Sequence, residues 1–174
     1  MIHIVLYRPE KPLNTGNIIR TSVAIGATLH IIGPITFSID NKDLLRAGLD
    51  YIDRLKLIYY EDYEAFDKEH HNDDIYYVTR YASTVYSTFD FKDIVHDYYL
   101  MFGRESTGIP HDILRDHPDR LLRIPMLPNT RSLNLSNCVA LVAYEVLRQQ
   151  NFNGLSTSEA IKGEDFLEKE GKKK

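Results

Sequence analysis

IHIVLYRPEKPLNTGNIIRTSVAIG, residues 2–26, changes its hydrophobic period once. IHIVLY (2–7) is a β-branched and aromatic run of strand length, bounded by RPEKP. NIIRTSVAIG (17–26) then places apolar residues at helical spacing, with Gly26 as the natural stop. Working outward, the alternation continues. LHIIGP (29–34) reads as a strand, KDLLRAGLDY (42–51) as a short helix, LKLIYY (55–60) as a strand and YEAFDKEHH (63–71) as a helix. DIYYVTR (74–80) and YYLMFG (98–103) are two more strands, joined by a polar, aromatic-dotted connection. IPHDILRD (109–116) reads as a helix with Pro110 near its first turn, RLLRIPM (120–126) as a strand and LNLSNCVALVAYEVLRQQ (133–150) as the longest helix. Strands alternating with helices predict an α/β domain with a mostly parallel sheet. The expected organisation is one domain over residues 1–155. A charged, solvated tail follows over 156–174, with room for one short helix. No internal repeat is present.

The chain has 174 residues, 43% of them hydrophobic, which suits one domain with a sizeable core. No apolar run approaches the roughly 20 residues needed to span a membrane. The opening MIHIVLYRPEKP has no basic leader followed by an apolar segment and a cleavage site, so no signal peptide is expected. The single cysteine, Cys138, excludes an internal disulfide and fits a reducing, cytoplasmic setting. Lys plus Arg number 21 against 25 Asp plus Glu, a formal net charge of −4. That balance argues against a large basic footprint for nucleic acid but leaves room for a local patch of convergent arginines.

Three blocks carry candidate chemistry. In NTGNIIR (14–20), Asn14, Gly16 and Asn17 read as a turn meeting a helix start, where unpaired N–H groups and the helix dipole suit an anion. Arg20, one turn further on, can fork onto a phosphate or carboxylate; the plain alternative is an Asn cap and a solvated arginine. FGRESTGIP (102–110) follows an apolar strand, and a glycine there lets a ligand approach the backbone. It is neither a phosphate-binding P-loop nor a dinucleotide fingerprint. Glu105 in this loop is either a functional carboxylate or a cap for the next helix. In RIPMLPNTRSLNLSN (123–137), Arg131, Ser132, Asn134, Ser136 and Asn137 crowd the entry to the last helix. Ser132 and Asn134 suit capping, but five polar groups exceed what one cap requires.

Other features point to ordinary roles. His70-His71 and the His111/His117 pair lack the spacing of a zinc site. Cys138 lies on an apolar helix face with no base beside it and reads as a core thiol. The tyrosines read mostly as strand and core residues, with those of YASTVYSTFDF (81–91) available to line a groove.

In order and spacing, HIVLYRPEKPLNTGNIIR, LRAGLDY, YLMFGRESTGIP and RIPMLPNTRSLNLSNCVALVAYE resemble the motifs of the SPOUT class of S-adenosylmethionine-dependent RNA methyltransferases. Within that class they are similar to the short, SpoU-type tRNA (cytidine/uridine) 2′-O-methyltransferases, which act on the ribose of the wobble nucleotide. The likeness covers roughly residues 1–153. It implies a Rossmann-like sheet whose C-terminal part forms a trefoil knot, which no hydrophobic period could show. It implies a homodimer acting on the anticodon stem-loop of tRNA, with no membrane partner. It also implies S-adenosyl-L-methionine as methyl donor, held near the backbone of Val78 and Thr79 and by Gly103, Ile124 and Ser132. Asn14, Arg20, Glu105 and Asn134 fall on the family's polar active-site positions, and Tyr144 falls in the helix that pairs the subunits.

Methyl transfer to a ribose hydroxyl requires in-line positioning and a proton acceptor. Arg20 suits gripping a phosphate and stabilising alkoxide charge, but not acting as a base, since its pKa exceeds about 12. The proton acceptor stays open, the substrate phosphate being one candidate. The alternatives are a 2′-O-methyltransferase for another tRNA or rRNA position, a non-catalytic knotted RNA-binding module, and a nucleotide-dependent oxidoreductase, which the missing G-x-G-x-x-G disfavours. In the last helix, Leu135, Val139, Val142 and Val146 form one apolar stripe expected to face the sheet. Ala140, Ala143, Tyr144 and Leu147 form a second, expected to meet another subunit.

Overall fold

The computed structural model describes residues 1–38, 54–130 and 132–171; the helix expected over residues 42–51 lies outside them. The described elements are β1 (Ile2–Tyr7), α1 (Pro12–Ile25), β2 (Thr28–Ile32), β3 (Lys56–Tyr60), α2 (Tyr63–His70) and β4 (Ile75–Val78). They continue with β5 (Tyr98–Phe102), α3 (His111–Asp116), β6 (Leu121–Leu122), α4 (Leu135–Gln149) and α5 (Phe166–Gly171). The strands form one sheet in the order β3-β2-β1-β5-β4-β6, and every pairing is parallel. The winding reverses between β1 and β5. In open parallel sheets a crevice forms at such a switch point, outside the carboxyl ends of the strands.

Alternation along β1 divides the core. Ile2, Ile4 and Leu6 meet Ile18 and Ile19 of α1 and Val139, Val142 and Val146 of α4 on one face. Val5 and Tyr7 meet Phe66 of α2 and Ile113 and Leu114 of α3 on the other. All five residues of β5 are buried, as a strand covered by helices on both faces requires. No helix among the described residues is long and apolar enough to cross a membrane.

Three expectations need correcting. First, α1 begins at Pro12, not at Asn17, so Asn14 and Gly16 lie in its opening turns and are buried. Proline at the first helical position has its φ set for the helix and no N–H to satisfy. The helix ends where expected, with Gly26 left-handed at φ 68°. Second, β6 is only two residues long, because the chain then leaves β4: Arg123 N–H donates to the Thr84 carbonyl at 2.8 Å, and Tyr86 N–H donates to the Arg123 carbonyl at 3.0 Å. Third, the second stripe of α4 is split between core and surface. Ala143 and Leu147 join the same core cluster as Val139, while Tyr144 is 47% and Leu141 43% exposed. Wedged against α1 and the sheet, with Phe152 and Leu155 packing on its core cluster, α4 buries a wider arc than a single stripe.

A polar chain crosses the second face of the sheet. His3 Nδ1 lies 2.9 Å from His30 Nε2, His30 Nδ1 3.1 Å from the Tyr60 hydroxyl, that hydroxyl 2.8 Å from His70 Nε2, and His70 Nδ1 2.7 Å from an Asp73 carboxylate oxygen. A carboxylate only accepts, so the donors are assigned in sequence: His70 Nδ1–H, Tyr60 O–H, His30 Nδ1–H and His3 Nδ1–H. Burial, then the neighbouring His3 and His70, push the His30 pKa down to about 3.

Candidate active site

Four loops at the carboxyl ends of β1, β4, β5 and β6 enclose a cavity of about 380 Å³, together with the entry to α4. Its walls include Asn14, Val78, Thr79, Gly103, Glu105, Ile124, Ser132 and Asn134. Eight of the nine site residues implied by the family resemblance are therefore brought together. Arg20 is the exception. Arg131 of the third block lies outside the described residues.

Two carboxylates lash the β1 and β5 loops to each other. Glu105, after β5, accepts from the Glu10 N–H at 2.8 Å, the Lys11 N–H at 3.2 Å and Asn14 Nδ2 at 2.9 Å. Glu10, after β1, accepts from Ser106 N–H at 2.9 Å, Ser106 Oγ–H at 2.8 Å, and Arg104 Nε at 3.2 Å and Nη2 at 2.8 Å. These Ser106 bonds, then Arg104, hold the Glu10 pKa below the usual carboxylate range. The anion expected at Asn14–Asn17 is therefore displaced: those residues lie inside α1, and the N–H groups just ahead of the helix, Glu10 and Lys11, hold the protein's own Glu105. Lys11, the α1 N-cap, makes no side-chain capping bond, because an ammonium has no lone pair with which to accept a backbone N–H.

The two asparagines extend this network to the last helix. Asn14, 5% exposed, gives an amide hydrogen to Glu105, leaving its oxygen to accept from Asn134 Nδ2 at 2.9 Å. Asn134 then accepts, through its own oxygen, the Ser136 N–H at 2.9 Å and hydroxyl at 2.7 Å, capping α4. A carboxylate at one end and a backbone N–H at the other fix both amide orientations. Gly103 closes the floor: a Cβ there would lie 2.1 Å from the Gly108 carbonyl carbon and 2.2 Å from the Ile109 nitrogen.

Arg20 is exposed on α1 and does not line the cavity. Six residues beyond Asn14, it points about 240° further around the helix. Among the described residues it forms no ion pair.

Sequence reasoning missed Lys11, Arg80, Arg104 and Thr107 on the cavity wall, together with Cys138. Cys138 is half-buried rather than a core thiol, and burial pushes its pKa up, away from a reactive thiolate. The signal for Lys11 and Arg104 was their adjacency to Pro12 and Gly103. Arg80 closes a predicted strand and carried no signal of its own. The cavity presents apolar walls, backbone groups and hydroxyls, with its carboxylate engaged. It is suited to holding and aligning a small molecule, not to forming a covalent intermediate.

Comparison with known proteins places this geometry. The SpoU rRNA Methylase family matches residues 1–144. The tRNA (cytidine(34)-2′-O)-methyltransferase of Escherichia coli (strain K12) is 43% identical over 155 residues, covering 88% of this chain and 97% of its own. A solved structure described as "Structural insights into the 2-OH methylation of C/U34 on tRNA" superposes with a TM-score of 0.81 at 36% identity, over 88% of this chain and 98% of that one. An AdoMet-bound rRNA methyltransferase from Sinorhizobium meliloti gives 0.76 at 26% identity, over 84% of this chain and 56% of that one. With the match running from β1 into α4, through every loop that builds the cavity, the chain belongs to the SpoU rRNA methylase family.

Proposed function

We propose that this protein uses S-adenosylmethionine to methylate the ribose 2′-hydroxyl of the wobble nucleotide, cytidine or uridine, in tRNA. The observation that carries this reading is the cavity at the strand ends, held closed by the Glu10–Glu105 exchange, in a chain related along its length to tRNA (cytidine(34)-2′-O)-methyltransferases.

The donor set fits the cofactor. Val78 and Ile124 give apolar walls, Thr79 and Ser132 give hydroxyls, and the glycine-rich 103–108 loop leaves backbone accessible. When bound, S-adenosylmethionine supplies an electrophilic methyl on a sulfonium. The chain's part is alignment: Glu105, Asn14 and Asn134 form a fixed frame between the first and last motifs, so they act by positioning. Lys11 and Arg80 form no ion pairs among the described residues and face a polyanion at the mouth despite the net charge of −4.

A homodimer completes the reading, as does the trefoil knot implied by the family resemblance. Leu13 of α1 (64% exposed), Leu141 and Tyr144 of α4, and Leu133 at the cavity rim (40%) leave an apolar face on the α1–α4 side. Arg20 is also exposed on α1, so a second copy docked there brings an Arg20 guanidinium toward a cavity mouth. This accounts for its absence from the cavity of its own chain. Mass spectrometry of tRNA nucleosides after incubation with labelled donor tests the activity. The expected product is 2′-O-methylcytidine or 2′-O-methyluridine at the wobble position, and no incorporation overturns the proposal. Arg20→Ala should abolish transfer while cofactor affinity by calorimetry stays within about twofold; a large loss of cofactor binding would place Arg20 elsewhere.

A further inference from the structure

We propose that Tyr81 is the stacking platform for the base of the nucleotide being methylated. The inference rests on the tRNA-methylating role above and assigns the contact that holds the target base outside the cofactor cavity.

Tyr81 lines the cavity beside Thr79 and Arg80, yet it is 61% exposed. Its position is built from below. Its backbone N–H donates to Thr79 Oγ1 at 3.3 Å, and the next residue, Ala82, is buried. The His111 ring meets it edge-on, with centroids 4.9 Å apart and planes at 83°. The Arg80 guanidinium carbon lies over the Tyr81 ring, 5.9 Å from its centroid and at the outer limit of cation–π range, so a planar base would share or displace that contact. An aromatic ring fixed by its neighbours but left largely open to water, at the rim of a cavity, is a surface awaiting a planar partner.

The surroundings select that partner's chemistry. Arg80 and Lys11 are free of ion pairs among the described residues, and Arg123 donates to the Arg80 carbonyl. The nearby acids, Glu10 and Glu105, are engaged by the loop-to-loop bonds. Cations beside an open aromatic face recognise single-stranded nucleic acid, whose unstacked bases lie on aromatic rings while its phosphates meet the charges. An anticodon loop offers such a base; a duplex does not. Stacking uses the ring face and reads no base edge, so one platform serves cytidine and uridine alike. With the base on Tyr81, the attached ribose is directed into the cavity.

The competing occupant is the adenine of the cofactor, and the experiment separates the two. The chain contains no tryptophan, so Tyr81→Trp introduces a single indole whose emission reports stacking directly. The indole is expected to be quenched by an anticodon stem-loop and unaffected by S-adenosylhomocysteine alone. In steady state, Tyr81→Ala should raise KM for tRNA about tenfold or more, with cofactor affinity unchanged. Tyr81→Phe and Tyr81→Trp should stay near wild type, and Tyr81→Leu should behave like alanine. On a stem-loop with an abasic ribose at the target position, Tyr81→Ala should cost nothing further. Quenching by the cofactor alone, rescue by leucine, or an equal loss on abasic RNA would each overturn the assignment. A wild-type protein that leaves tRNA unmethylated fails the underlying role instead, and that control is read separately.

Discussion

His30 is 1% exposed and sits mid-chain in the His3–His30–Tyr60–His70–Asp73 series, where it accepts from His3 and donates to Tyr60. A second proton would have to enter at Nε2, against His3 Nδ1–H, so charging the ring forces His3 into its other tautomer or breaks the series. Folding therefore lowers its pKa, from about 6.5 in an unfolded chain to about 3. A group whose folded pKa is depressed because its neutral form is favoured contributes full stability above about pH 6.5, and loses it as pH falls toward 3. Between about pH 7.5 and pH 5 the unfolded histidine gains most of a proton and the folded one almost none. At about 1.4 kcal/mol per pH unit below 6.5, the native state loses about 2 kcal/mol to His30 alone. Burial also pushes the His3 pKa down, which adds loss of the same sign. Urea titrations at the two pH values, at fixed protein concentration, measure the difference. His30→Gln should be less stable at either pH but should lose about 2 kcal/mol less across the interval. An identical pH dependence in wild type and variant would refute the assignment to His30.

Other perturbations reach other parts of the molecule. Gly103→Ala drives a methyl into the Gly108–Ile109 backbone, so it should cost at least the ~1–3 kcal/mol typical of overpacking and weaken cofactor binding; an unchanged Tm with intact binding would contradict the tight floor. Leu147→Arg buries a charge in the core and should unfold the chain, whereas Leu141→Arg should preserve the circular dichroism spectrum and shift light scattering toward monomer. A wild-type protein that is monomeric at micromolar concentration would sink the proposed dimer. Removal of residues 156–174 should change stability by less than about 1 kcal/mol, since Ile161 and Leu167, its largest aliphatic side chains, are 94% and 81% exposed; loss of folding on truncation would show otherwise.

The strands were legible because periods of two and continuous apolar runs survive in sequence: β1, β3, β4 and β5 fall within the stretches read for them, and β2 starts one residue ahead of its own. The start of α1 was misread because Asn14, Gly16 and Asn17 have turn chemistry, while the residues that override it are Pro12 at the start and Glu105, far along the chain. Six of the eight implied cavity residues lay in the three blocks, and the structure gathers them with Val78 and Thr79, which only the family resemblance supplied; Arg20 stays outside. Its internal bonding was not legible, because a carboxylate in a glycine-bounded loop looks the same whether it meets substrate or a neighbouring loop. The wide buried arc of α4 also escaped, since alanine and leucine on a second stripe suit either a core or a partner. Tyr81 lay within a stretch noted only as possible groove lining; its exposure is a tertiary fact.

The bond between Asn14 and Asn134 closes a loop of 120 residues. Parallel strands and such distant closures are slow to form, because chain entropy is lost before the contact rewards it. A chain emerging from the ribosome can pair β1 with β2 and β2 with β3 early, but Glu105 and then Asn134 reach Asn14 only when most of the polypeptide has been made. The frame around the methyl donor is therefore among the last parts of the fold to assemble, and the nascent protein has no competent site until α4 docks.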